Sequence, residues 1–315
     1  MTHLSRSCRK LGDTSWEAPS LADWCPAIAK SSPLQNDGRT PSAPHEGANE
    51  RKTSRAADLG IGCDDKVMIR VAKYHTDFGN IEVLRAKDSG SFIYRQGGCY
   101  QSECDPNGVS VVPYIHAIFG LLAQARVSDV LMIGCGGGSL GTMLDRIGVR
   151  VTIVDINPKA FQIARKYFGL PRGVHSFISD GRDFLRAGRH RYDAIVLDAY
   201  SGRRIPDHLC AETFFGLAQT RLKNSSGILI GNVHARHDLD IMPDRVAVKL
   251  ANIWADVRLL DIRGALDRNA LVMAGKVRDL VQPVLLMPPS VGAEEIEQEL
   301  GLLAFRPWHV PRRAA

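Results

Sequence analysis

The sequence predicts an α/β fold: a Rossmann-like, mostly parallel sheet of seven strands preceded by a small N-terminal β-meander. Three observations predict it. From residue 130 onward, short unbroken apolar runs alternate with segments of helical periodicity, the pattern of a parallel sheet covered on both faces. A glycine-rich turn, Gly134-Cys135-Gly136-Gly137-Gly138, joins the first of these runs to a helix. Before them, three extended segments are separated by turn sequences.

Residues 1–64 are rich in Ser, Pro, Thr, Asp and Lys and have almost no apolar periodicity. Such a segment cannot bury enough surface to offset its ordering entropy and is expected to be a disordered tail. Lys66 to Val71, Asn80 to Arg85 and Ser91 to Tyr94 read as strands, broken at Asp77-Phe78-Gly79 and Asp88-Ser89-Gly90, so residues 65–108 form a small β domain. Pro113 to Gln124 carries apolar residues at helical spacing. Strand one of the main sheet is Val130 to Ile133, and strand two is Val149 to Asp155. Asn157-Pro158 then supplies an N-cap and a first-turn proline for a helix ending near Gly169. Strands three to five are Val174 to Ile178, Ala194 to Leu197 and Ile228 to Val233, and Val257 to Asp261 with Leu271 to Ala274 closes the sheet. Residues 109–280 thus make the main domain. The proline-rich remainder, 281–315, with a short acidic helix near Glu294, reads as a peripheral segment.

The bulk composition excludes several classes. With 315 residues, 44% hydrophobic and 23% charged, the chain supports one sizeable core and a smaller appendage. The net charge of +6 is scattered, without the basic stripe and interleaved aromatics of a nucleic-acid binder. Seven cysteines, an odd number without a dense framework, fit a reducing cytoplasm. Cys99 and Cys104 have no second pair and no histidine at metal spacing, so no metal is expected. The longest apolar stretch, Val109 to Ala123, carries Pro113 and His116 and is too short to span a bilayer, and the N-terminus lacks a signal-peptide apolar region.

The glycine turn removes side chains where the backbone must approach a ligand, and it opens a helix whose N–H groups face that ligand. Asp155 ends strand two, twenty-one residues after Gly134, where an acid can accept both hydroxyls of a ribose. Gly134, Gly136, Gly138 and Asp155 together indicate a nucleoside site. Asp180-Gly181, at the end of strand three, reads equally as a contact to an adenine amino group or as a helix cap, and Asp183 as a solvated or capping residue. Asp198 ends strand four and points into the space beside the nucleoside, which makes it the leading candidate for chemistry. It is followed by Ala199-Tyr200-Ser201-Gly202-Arg203-Arg204. Phe214 and Phe215 read as core. His234, Arg236, His237, Asp238 and Asp240 form a polar cluster after strand five, where a loop at the carboxyl edge could touch substrate, although a histidine at such a spot is more often a solvated loop residue. Cys135 has no basic neighbour in sequence and reads as a small buried side chain, and Ser201 lacks a His–Asp pairing for acyl chemistry.

Strand order and glycine pattern resemble a class I S-adenosylmethionine-dependent, methyltransferase-type fold, and within it the spermidine synthase (polyamine aminopropyltransferase) family. The resemblance runs from the β-meander to Val233. It rests on Gly97-Gly98-Cys99-Tyr100-Gln101 before a Tyr114-bearing helix, Ile133-Gly134-Cys135-Gly136-Gly137-Gly138, Val154-Asp155-Ile156-Asn157, Ser179-Asp180-Gly181-Arg182-Asp183-Phe184-Leu185, and Asp193-Ala194-Ile195-Val196-Leu197-Asp198. It implies transfer of an aminopropyl group from decarboxylated S-adenosylmethionine to a diamine such as putrescine, without a metal. It implies that Asp155 holds the ribose, that Asp180 and Gly181 line the adenine, that Gln101, Tyr114, Tyr200 and Ser201 form the substrate pocket, and that Asp198 accepts the proton. The expected partner is a small-molecule polyamine substrate, not nucleic acid or membrane, in the cytoplasm, and a homodimer is compatible with this.

Three departures stand out. The family's glycine turn reads Gly-Gly-Gly-Asp-Gly-Gly, and its Asp holds the cofactor's primary amine; here that position is Gly137. A second acid usually follows the first by three residues; here that position is Ser201. The interval from Gln101 to Tyr114 is longer than usual. Each missing charge-assisted contact removes about 1.5–3 kcal/mol. Glu103 or Asp105 are candidates to replace them. The alternatives are a methyltransferase using intact S-adenosylmethionine, which an uncharged Gly137 would tolerate, and a non-catalytic nucleoside-binding relative.

Overall fold

The computed structural model describes residues 67–223 and 226–308 of the chain. The tail expected over residues 1–64 lies outside them. An antiparallel meander comes first: β1 (Met68–Tyr74), β2 (Ile81–Ala86), β3 (Phe92–Gln96) and β4 (Cys99–Cys104), paired in that order. The fourth strand is absent from the sequence reading because Cys99 to Cys104 is polar and follows β3 through only Gly97-Gly98, both at positive φ.

α1 (Pro113–Gln124) leads into β5 (Asp129–Ile133), with a proline in its first turn and its buried face toward the sheet. Then follow α2 (Ser139–Arg146), β6 (Arg150–Asp155), α3 (Pro158–Tyr167), β7 (His175–Ile178), α4 (Gly181–Ala187) and β8 (Ala194–Leu197). A further run comprises α5 (Glu212–Thr220), β9 (Ile228–Ala235), α6 (Met242–Ala251), β10 (Val257–Asp261), β11 (Arg268–Gly275), α7 (Ala293–Leu302) and β12 (Ala304–Arg306).

The main sheet has the order β12-β10-β11-β9-β8-β5-β6-β7. Strands β9, β8, β5, β6 and β7 are parallel, and β11, β10 and β12 add antiparallel pairs. The seven expected strands are present, and β12, from the proline-rich C-terminal segment, adds an eighth short strand at the edge beside β10. Alternation along β5 shows why both faces are covered. Val130 and Met132 pack with α1, α2, α3 and α7, whereas Leu131 and Ile133 pack with α4, α5 and α6. Phe214 and Phe215 are fully buried in the second of these clusters, as the sequence indicated. The meander has a third cluster, in which Ile81, Val83 and Tyr94 pack on Ile163 and Phe168.

Strand order reverses between β5 and β8, and such a switch point leaves a crevice at the carboxyl ends of the strands. Gly134 and Asp198 are the residues that leave β5 and β8 there. They approach so closely that a Cβ on Gly134 would lie 2.1 Å from the Asp198 carbonyl oxygen, and Gly134 has φ +103°. Only glycine satisfies both conditions. Among the described residues, no helix is long and apolar enough to cross a membrane.

Candidate functional site

The crevice is a cavity of about 540 Å³, within the range of small-molecule sites. The parallel strands deliver its floor. Gly134 and Gly136 follow β5, Asp155 ends β6, Asp180 and Gly181 follow β7, and Asp198 with Tyr200 and Ser201 follows β8. The meander supplies Gln101 and Ser102 from β4, and α1 supplies Tyr114. All the sequence-derived site residues therefore line one cavity except Gly138. That residue sits behind the bend with φ +72°, starting α2, and a Cβ there would press on Leu170.

Asp155 accepts from two backbone amides, Cys135 N at 2.8 Å and Asn157 N at 2.7 Å. Its carboxylate therefore both ties the glycine bend to β6 and faces the cavity. Burial pushes its pKa above the ordinary carboxylate value, against the two amides. Asp180 serves as the N-cap of α4, accepting from Arg182 N and Asp183 N at 3.0 and 3.2 Å, and its second oxygen meets His208 Nε2 at 2.7 Å. The cap reading is borne out, and the residue also lines the cavity. Burial raises its pKa, but His208 and the cap amides outweigh it and hold the carboxyl below the usual value.

Asp198, like Asp155 and Asp180, is half-buried. Its Oδ1 accepts from Asn232 Nδ2 at 2.9 Å and its Oδ2 from Tyr114 Oη at 3.2 Å. Burial raises its pKa, and the two donors only partly offset this. Tyr114 and Tyr200 are pushed well above the ordinary phenol value, first by burial and then by the Asp198 charge, so both are neutral donors. The Tyr200 hydroxyl donates to Asn232 O at 2.8 Å and accepts from His234 N at 3.0 Å, which pins β9 to the loop after β8.

Two cavity residues, His208 and Asn232, escaped the sequence reading, and a third, His234, has a different setting from the one expected. His208 lies in a short 3₁₀ turn, Asp207–Leu209, that brings its ring to Asp180 at the cavity wall. Asn232 is buried on β9, and nothing in its local sequence marks it. His234, read as a solvated loop residue, belongs to β9 and lines the cavity, because pairing with Asn269 of β11 prolongs the strand to Ala235. Burial lowers its pKa, so its imidazole is neutral near pH 7. Neither Glu103 nor Asp105 lines the cavity. Asp105 is committed to Asn107 N, Val109 N and Ser290.

The position of Gly137 is filled from outside the bend. A Cβ there would lie 2.7 Å from the Phe168 ring, which is fully buried against the meander, and Ser102 Oγ accepts from Gly137 N at 3.0 Å. Gly137→Asp is accordingly expected to cost about 1–3 kcal/mol by overpacking, lowering Tm by about 2–4 °C for each kcal/mol. Combining it with Phe168→Leu should cost less than the two single changes summed, because the ring and the new carboxylate compete for one space. Thermal unfolding of the four proteins checks this, and strict additivity would contradict it.

No protein-family model matches the chain. A polyamine aminopropyltransferase from Neisseria meningitidis serogroup A is 32% identical over 171 residues, covering 52% of this chain and 63% of that protein. The chain thus matches less than two thirds of the length of this curated relative. Among solved structures, a probable spermidine synthase from Corynebacterium glutamicum superposes with a TM-score of 0.62 at 17% identity, over 75% of this chain and 90% of its own. A spermidine synthase in complex with the transition state analogue AdoDATO gives 0.53 at 16% identity, over 78% and 93%. The chain has the spermidine synthase fold, a methyltransferase-type sheet behind an antiparallel meander, and its curated relatives include proteins named polyamine aminopropyltransferase and, at 31% identity over 51% of this chain and 33% of that protein, an N-terminal histidine N-methyltransferase from Emericella nidulans.

Proposed function

We propose that the chain transfers an aminopropyl group from decarboxylated S-adenosylmethionine to an amine. One observation carries this: a half-buried carboxylate, Asp198, held by Asn232 and Tyr114, faces the same cavity as the glycine bend and Asp155. Asp155 binds the ribose hydroxyls, and Asp180 with His208 borders the base. Asp198 draws in the acceptor amine and takes its proton as nitrogen attacks the methylene beside the sulfonium. The carbon–sulfur bond breaks, its electron pair stays on sulfur, and methylthioadenosine leaves. With no acid at position 137, Ser102, whose Oγ already accepts from Gly137 N at 3.0 Å, is the polar side chain at the bend that remains to meet the aminopropyl ammonium, with Gln101 elsewhere on the cavity wall.

Incubation with decarboxylated S-adenosylmethionine and an amine, followed by mass spectrometry, tests the proposal. Release of methylthioadenosine with a matching aminopropylated amine is expected. Methylation of the amine by intact S-adenosylmethionine, with no use of the decarboxylated form, would replace it by the methyltransferase alternative that Gly137 keeps open.

The pH profile gives an independent check. Asp198 must be ionised to accept a proton, and burial raises its pKa, so activity is lost as pH falls through a value above the ordinary carboxylate range near 4. The rate–pH profile of kcat/KM should show this acidic limb, absent from the residual activity of Asp198→Asn. A wild-type rate undiminished down to about pH 4 would contradict the assignment.

A further inference from the structure

His208 and Asp180 share one edge of the cavity, and their contact fixes what that edge can recognise. Asp180 is held below the ordinary carboxylate value and is ionised near pH 7, so it only accepts. The 2.7 Å contact therefore requires a hydrogen on His208 Nε2. In the neutral imidazole this leaves Nδ1 as a lone-pair acceptor, and that atom has no hydrogen-bond partner among the described residues.

The turn that carries the ring is anchored on both sides. Ile205, Leu209 and Cys210 are buried in the cluster of Phe214 and Phe215. Leu209 N and Cys210 N donate to Pro206 O and Asp207 O at 2.9 and 3.1 Å. Between these fixed residues the His208 side chain is 37% exposed, against 21% for Asp180. Arg182 N and Asp183 N already donate to Asp180 Oδ1, and His208 Nε2 donates to Oδ2, which uses most of the acceptor sites of a carboxylate. The more open acceptor at this edge is thus the imidazole.

Both side chains present lone pairs, so a ligand group placed there must donate. The edge also adjoins the ribose position, because Asp155 ends β6 and Asp180 follows its neighbour β7. A purine base extends from the ribose, and its 6-amino group donates whereas a 6-oxo group only accepts. We propose that His208 selects the base: with Nε2–H held on Asp180, its Nδ1 accepts a hydrogen from the 6-amino group of an adenine nucleoside. This rests on the nucleoside reading of the cavity and names the residue that reads the base.

Calorimetry of the full chain with 5′-methylthioadenosine and with its analogue bearing hydrogen at C6 tests this. The wild type should bind the adenosine about tenfold more tightly, the worth of one hydrogen bond. His208→Phe keeps a ring at a partly exposed position but has no nitrogen, and its preference should fall to about twofold. His208→Gln, which retains a donor for Asp180 and an acceptor beside it, should recover part of the preference. Were Asp180 the reader, His208→Phe would free Oδ2 and the preference would hold or rise. That outcome, or equal affinities in the wild type, overturns the role of His208 and leaves the nucleoside site standing. Failure of the wild type to bind either nucleoside overturns both.

Discussion

Asp198→Asn is expected to lower the transfer rate by about 10²–10⁴-fold while leaving nucleoside affinity nearly unchanged. Asparagine has the same shape and can still meet Asn232 and Tyr114 at 2.9 and 3.2 Å, so the cavity wall survives. What is lost is the negative charge that attracts the amine and the basic oxygen that accepts its proton. The same change should stabilise the fold. Burial raises the Asp198 pKa, so between its unfolded and folded values the native state binds more protons than the unfolded chain. Stability therefore falls as pH rises through that window, and the penalty is present above the folded pKa and absent below the unfolded one. Removing the charge should therefore raise Tm at neutral pH. Steady-state rates, calorimetry with methylthioadenosine and thermal unfolding check the three parts. A fully active variant would remove Asp198 from the chemistry.

The second large effect is expected at Asp155. Replacement by alanine should weaken methylthioadenosine binding by about 10²–10⁴-fold, because two charge-assisted contacts to ribose hydroxyls, each worth about 1.5–3 kcal/mol, disappear together. The bend also loses its tie to β6, since Cys135 N and Asn157 N lose their acceptor. Some loss of thermal stability should accompany the change. Asp155→Asn keeps one acceptor oxygen and should fall between alanine and the wild type. Titration calorimetry distinguishes the three proteins. An affinity for the nucleoside unaltered by Asp155→Ala would place the ribose elsewhere.

These two acids could be read from the sequence because their positions follow from local signals alone. Each ends an apolar run, and the carboxyl end of a parallel strand at a switch point is where a ligand binds. α1 was legible for the same reason, through helical spacing after a proline. β4 was not, because its polar residues lack an apolar alternation and its strand character comes from pairing with β3. Asn232 and His234 depended on register: the first becomes a partner of Asp198 only when β9 lies beside β8, and the second joins the strand only through β11. The occupant of the space at Gly137 was also hidden. The sequence reveals a missing carboxylate, whereas the ring of Phe168, thirty-one residues on, reaches it only after α3 has packed under the meander. The fold was therefore more legible than the cavity wall formed by β9 and β11.

In the proposed reaction an adenosyl sulfonium rests on the glycine bend with its reactive carbon turned toward Asp198. A crystal structure with decarboxylated S-adenosylmethionine, or with methylthioadenosine and an amine, is the decisive measurement. The expected result has both ribose hydroxyls on Asp155, the sulfur over Gly134 and Gly136, and the amine within hydrogen-bond reach of Asp198, roughly 3–3.5 Å from the carbon it attacks. A nucleoside bound away from Asp155, or a sulfur directed away from Asp198, would contradict it.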